Sequence, residues 1–197
     1  MRSGLLAALV VAPLLLSSCA SSSDPLAEQF RDSSGSNYIS GDGAVTILAP
    51  DSRPDPVSFS GLTELGETFS STDFPGQVMV VNFWYAGCPP CRLEARDLEA
   101  LWQEFAPEDV VFVGVNILDQ APTALTFAQE FGVTYPSVLD VNTGSVRLAF
   151  AGQISPNAVP TTLVLDKQAR VSGRISGLLT DPRVLAGMIE GVLEEDS

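Results

Sequence analysis

Val78-Met79-Val80-Val81-Asn82-Phe83-Trp84-Tyr85-Ala86-Gly87-Cys88-Pro89-Pro90-Cys91 joins a nearly unbroken apolar, β-branched run to two thiols three positions apart. Such a run is what a central strand covered on both faces requires. Directly after it, 89–105 carries a helical period. Leu98, Leu101, Trp102 and Phe105 recur at i, i+3, i+4 and i+7, while Arg92, Arg96, Glu99 and Gln103 can face water. The cysteines therefore sit where a buried strand hands over to a helix. Pro89 and Pro90 suit the first turn of that helix, whose N–H groups have no intrahelical partner.

Toward the N-terminus, 45–48 reads as a first strand, 50–56 is Pro-rich, and Gly66 turns 57–62 back through 67–69 as a hairpin. Beyond the helix, a second buried strand at 110–116 and a helix at 122–131 give a strand–helix–strand order that implies parallel pairing. After Tyr135-Pro136 and a stretch at 146–150, short strands at 161–165 and 171–175 flank Asp166-Lys167-Gln168-Ala169 as an antiparallel hairpin. The last helix has Asp181 as N-cap, Pro182 at its first position, and Val184, Leu185, Met188, Ile189 and Val192 as its apolar stripe.

A cysteine at a helix start faces unpaired N–H groups and the positive end of the dipole. Both favour the thiolate, so Cys88 is the expected nucleophile, its pKa below the free value of about 8.5. Cys91 lies over the same face, close enough to close a disulfide, and is the resolving thiol. In exchange, the Cys88 thiolate attacks a disulfide, and Cys91 then attacks the mixed disulfide to release the reduced partner. Run backwards, the same steps oxidise dithiols, and the motif does not say which direction is used. The 197 residues hold three cysteines and no histidine. Zinc therefore lacks a second ligand pair, covalent haem lacks a histidine where Arg92 stands, and Ser–His–Asp and Cys–His catalysis fall away. An inert disulfide is the remaining alternative, and it would close too short a loop to stabilise the fold much. No metal and no cofactor beyond the Cys88–Cys91 pair is expected.

At the N-terminus, Met1-Arg2 precedes an apolar run at 5–16 that is interrupted by Pro13. It falls short of the roughly 20 residues a spanning helix needs and reads as a secretory signal. Leu16-Ser17-Ser18-Cys19 is similar to the bacterial lipobox. That similarity implies cleavage before Cys19, diacylglycerol on its sulfur and a lipid anchor in the membrane. The expected divisions are 1–18 as signal, 19–40 as lipidated cysteine and Ser-, Asp- and Gly-rich tether, and 41–197 as one folded domain. A tether of that length reaches about 25 Å root-mean-square. With a net charge of −14 and Lys167 as its single lysine, the chain has no basic stripe for a phosphate backbone, which excludes nucleic acid as a partner.

The block at 80–92, followed far downstream by Val159-Pro160-Thr161-Thr162, resembles the thioredoxin superfamily, and within it the membrane-anchored TlpA/ResA-like branch. The resemblance runs from Gly41 to the C-terminus. It implies an α/β thioredoxin fold: a central mixed β-sheet flanked by helices, an N-terminal β-hairpin extension and a central strand–helix insertion at 110–135. It also implies a cis bond at Pro160, with Val159 pressed against the sulfurs and backbone groups there offered to substrate. Glu94 stands where ResA-like proteins carry a glutamate near the active-site pocket, which implies a proton relay for Cys91; by position alone it is a solvated glutamate of the second helical turn. Asn82 replaces the buried aspartate of cytosolic thioredoxins. Gly87 replaces a frequent tryptophan, which implies a flatter, less aromatic surface at Cys88. Trp84 lies beside the site or serves as a core aromatic.

The implied function is a thiol–disulfide oxidoreductase, lipid-anchored on the outer face of the bacterial cytoplasmic membrane. It would reduce disulfides of exported proteins such as apocytochrome c, with a CcdA-like membrane protein as electron donor. A disulfide oxidase or isomerase for exported proteins, and a non-catalytic thioredoxin-like binding lipoprotein, are the alternatives.

Overall fold

A computed structural model describes residues 42–155 and 157–195. The signal segment, Cys19 and the tether through residue 40 lie outside the described residues. The strands are β1 Asp42–Ile47, β2 Ser60–Leu62, β3 Thr68–Ser70, β4 Val78–Trp84, β5 Val110–Asn116, β6 Ser137–Leu139, β7 Thr161–Leu165 and β8 Val171–Gly177. The α-helices are α1 Pro89–Phe105, α2 Ala121–Phe131, α3 Ser145–Ala149 and α4 Pro182–Leu193. Among the described residues, six strands form one sheet in the order β1-β8-β7-β4-β5-β6. β4, β5 and β6 pair in parallel, whereas β7, β8 and β1 join antiparallel, so the sheet is mixed. β2 and β3 form a separate hairpin, turned at Gly66 with φ +81°, a conformation glycine adopts without steric cost.

Every residue of β4 and β5 is buried, as their apolar runs require. Alternation along each strand divides their side chains between two cores. On one face Val78, Val80, Val110 and Phe112 meet Leu98, Leu101 and Phe105 of α1 and Leu185, Ile189 and Val192 of α4. On the other, Met79, Val81, Phe83, Val113 and Val115 meet Phe59 and Phe69 of the hairpin region, Phe127 of α2, and Val146 and Phe150. Each such side chain contributes about 1.5–3 kcal/mol of burial energy before entropy is counted.

Some expected boundaries move. β1 starts three residues before the expected 45, and β8 runs two residues past 175, because the two strands pair with each other over that length. The hairpin's first strand shortens to three residues. The stretch at 146–150 is the short helix α3, where Asp140 accepts from Val146 N at 2.9 Å and Arg147 N at 3.1 Å. β6, an edge strand unforeseen in the sequence pattern, is pinned by the hairpin: Glu64 N donates to Ser137 O at 3.1 Å, and Thr63 bridges Val138.

Gly114 in β5 is where this packing is tightest. A β-carbon there would overlap Ser137 Oγ and lie 2.7 Å from Trp84 Nε1. Gly114→Ala is expected to lower stability by about 1–3 kcal/mol, read as a lower urea midpoint at unchanged slope.

Candidate active site

β4 ends at Trp84, and the chain turns, with Cys88 N donating to Tyr85 O at 3.1 Å. α1 then begins at Pro89 with Cys88 as its N-cap. The Cys88 sulfur accepts from Cys91 N at 3.3 Å. Cys88 and Cys91 form a disulfide with their Cα atoms 5.3 Å apart, and both are buried, at 0% and 2% exposure. Pro89 and Pro90 occupy the first turn, where their missing N–H donors cost the helix nothing. A thiolate at Cys88 would retain the helix end and the Cys91 N–H as its stabilising partners. Gly87 is exposed immediately before it, so the chain presents backbone rather than an indole there.

β7 lies beside β4, with Thr161 opposite Phe83 and Thr162 opposite Asn82. That register carries the segment preceding β7 to the strand end that leads into Cys88. The Val159–Pro160 bond is cis. Val159 belongs to the same buried cluster as both cysteines, and Pro160 O accepts from Gly177 N at 2.9 Å.

Glu94 is 1% exposed, so its position in the second turn does not make it a solvated residue. Its Oε1 accepts from Asn82 Nδ2 at 3.0 Å and its Oε2 from Leu179 N at 2.9 Å. Burial pushes its pKa up to about 7; the Leu179 and Asn82 donors pull the other way, and Asp97 adds to the rise. Desolvation of the charged form outweighs two hydrogen bonds here. Asn82 also donates to Thr162 Oγ1 at 3.1 Å. As an amide it can hold the Glu94 carboxylate, whereas an aspartate in its place would repel it.

Trp84 packs in the same buried cluster as the two cysteines. It is buried, with its ring centroid 4.3 Å from that of Phe127 and its Nε1 donating to Ser137 Oγ at 3.2 Å. It also lines a narrow cavity with Cys91, Asn82, Glu64, Tyr135 and Ser137. Glu64, Tyr135 and Ser137 were missed in the sequence. Glu64 accepts from Ser137 N at 2.8 Å, and burial raises its pKa. Burial also raises that of Tyr135, with the nearby Glu94 charge adding to it. The Tyr135-Pro136 step was the only local signal, and it reads as chain punctuation.

The sequence pattern of the Redoxin family matches residues 45–185, which contain β4, the Cys88–Cys91 turn and Pro160. The chain belongs to the Redoxin family. This Redoxin chain is 29% identical over 115 residues to thiol-disulfide oxidoreductase ResA of Geobacillus thermodenitrificans, over 58% of its own length and 63% of that protein's. It thus spans under two thirds of that relative. Among solved structures it is similar to a thioredoxin-family thiol:disulfide interchange protein of Chlorobium tepidum TLS, at 33% identity and a TM-score of 0.64. The match covers 72% of this chain and 97% of that one. A secreted thiol-disulfide isomerase of Corynebacterium glutamicum matches at 26% identity and a TM-score of 0.71, covering 80% and 97%. The fold is that of thioredoxin, and this Redoxin chain is a TlpA/ResA-like member of the superfamily.

Proposed function

We propose that the chain is a thiol–disulfide oxidoreductase acting on protein substrates through Cys88 and Cys91. The observation that carries this reading is the disulfide at the N-cap of α1, with a backbone N–H aimed at the Cys88 sulfur. The names of the ResA and interchange-protein relatives support it.

In the reducing direction, the Cys88 thiolate attacks one sulfur of a substrate disulfide. A Cys88–substrate bond forms, and the first substrate thiolate leaves and takes a proton. Cys91 gives its proton to Glu94 and attacks the Cys88 sulfur. The Cys88–Cys91 bond forms, the second substrate thiolate leaves, and two electrons have passed to the substrate. Glu94 suits the acceptor role because it follows Cys91 by three residues on the same helix face, and its pKa of about 7 is matched to neutral pH. Val159, Pro160 and Trp84 would line the approach of the substrate chain.

The substrates on this reading are exported proteins, apocytochrome c among them, and a CcdA-like membrane protein re-reduces the pair. The chain works on the extracytoplasmic face of the membrane, anchored through Cys19. No helix among the described residues is long and apolar enough to cross a membrane. The isomerase name of the Corynebacterium glutamicum neighbour favours a second reading, in which the pair oxidises or reshuffles disulfides. A reduction potential near about −270 mV would support the reductant, and one near about −120 mV the oxidant.

Cys91→Ser is the direct test. Without the resolving thiol, substrates should stay on Cys88 as mixed disulfides, visible on a non-reducing gel and released by dithiothreitol. Recovery of no such adducts would overturn the mechanism.

A further inference from the structure

β4 and β5 pair in parallel with Trp84 opposite Asn116, and one more rung follows: Ile117 N donates to Trp84 O at 3.1 Å. In a regular parallel ladder the next rung would carry the Ala86 N–H to the carbonyl of Ile117. Instead, Ala86 N donates to Asp119 Oδ2 at 2.6 Å. A side chain has taken the place of the backbone.

Asp119 is itself held. Asn116, fully buried at the end of β5, donates from Nδ2 to the same carboxylate oxygen at 2.9 Å. Its Oδ1 accepts from Leu118 N at 3.1 Å and Asp119 N at 2.7 Å, closing the turn that presents the carboxylate. From the other side, Arg92 Nη1 reaches Ala86 O at 3.4 Å. The same guanidinium pairs with Glu130 at 2.7 Å and lies 4.8 Å from the centre of the Phe131 ring. The residue two before Cys88 is therefore gripped from the loop after β5 and from α1.

We infer that Asp119 is a positioning residue for the reactive thiol. Its carboxylate ends the ladder early and fixes the Ala86–Gly87 step, so that Cys88 turns into the N-cap of α1 instead of continuing the strand. Gly87 is permissive, and an Ala86 left with the longer 3.4 Å contact from Arg92 in place of the 2.6 Å bond to Asp119 would let the turn drift. The Cys91 N–H bond to the Cys88 sulfur weakens quickly with misalignment, and the thiolate loses stabilisation with it. This inference rests on the exchange reading above for its role in turnover.

Position and charge act here in opposite directions. Losing the negative charge alone would lower the Cys88 pKa, whereas losing the tether raises it. Asp119→Asn removes the charge but keeps an oxygen that can accept from Ala86, and Asp119→Ala removes both. In the full reduced chain, Asp119→Ala is expected to move the Cys88 pKa toward about 8.5. It should also slow iodoacetamide alkylation and insulin reduction about tenfold. Asp119→Asn should stay within about twofold of wild type, since the tether is retained. Equal effects in both variants, or none in either, would overturn the inference. The wild-type chain supplies an independent reading: its Ala86 amide should be protected from hydrogen exchange, and free exchange there would also overturn it. A wild-type chain inactive on insulin would refute the exchange reading alone, because alkylation and amide exchange still decide the role of Asp119.

Discussion

Cys88→Ser is expected to abolish disulfide reduction, with a loss of at least about a thousandfold in insulin turnover. The nucleophile in exchange is a thiolate, and a serine hydroxyl stays protonated at neutral pH whatever the helix end contributes. The substitution should leave the domain folded. The Cys88–Cys91 bond closes a loop with a sequence separation of 3, and in the chain-entropy model such a loop is worth only about 2 kcal/mol. The elements that carry Cys88 are fixed by the two hydrophobic cores on either side of β4, which the substitution leaves in place. A circular-dichroism melt of the variant beside the insulin assay separates lost chemistry from lost structure. A folded Cys88→Ser protein with wild-type turnover would refute the exchange mechanism.

Glu94→Gln is expected to slow attack by Cys91 on the mixed disulfide about a hundredfold near neutral pH, the size of effect ordinary for a lost general base. In the wild type this step should quicken as pH rises through about 7 and Glu94 ionises, and in the variant that dependence should vanish. The same group predicts a change in stability. Burial holds its pKa near 7 in the folded chain, against an ordinary 4.5. Below 4.5 both folded and unfolded chains carry the proton, and Glu94 adds no pH dependence. Between 4.5 and about 7 the unfolded chain releases a proton that the folded chain keeps, so stability falls as pH rises. The fall amounts to about 3 kcal/mol and is complete above that window. Urea unfolding at pH 4.5, 6 and 8 should show it in the wild type and not in Glu94→Gln. Glu64, also raised by burial, is present in both proteins, so the difference between the two curves isolates Glu94. Parallel curves would refute the assignment.

The elements around the disulfide were legible in the residues. The expected 78–84, 89–105 and 110–116 coincide with β4, α1 and β5, because a fully buried strand and a long amphipathic helix each repeat their signal over many residues. The capped start of α4 was equally plain, and the Asp181 side chain accepts from Arg183 N as an N-cap should. β6 and α3 were not legible. Three residues of strand, or five of helix, hold less than two periods of their own pattern, and both elements draw their stability from partners outside themselves. Glu64 and Thr63 of the hairpin region hold β6, and the Asp140 carboxylate holds the start of α3.

By itself the sequence determined the chemistry available: two thiols three apart at a strand-to-helix step, with no histidine to support metal or triad catalysis. Spacing along a helix start is local, so it survives without knowledge of the rest of the chain. Only the tertiary structure decided what surrounds the pair. Glu94 is buried because Leu179, 85 residues away, and Asn82 close over it; Thr162 meets Asn82 across 80 residues; and Asp119 reaches Ala86 across 33. Those meetings follow from strand register and from the packing of helices on the sheet. A carboxylate's pKa and a thiol's position depend on the groups that arrive from those distant segments, which no local pattern encodes.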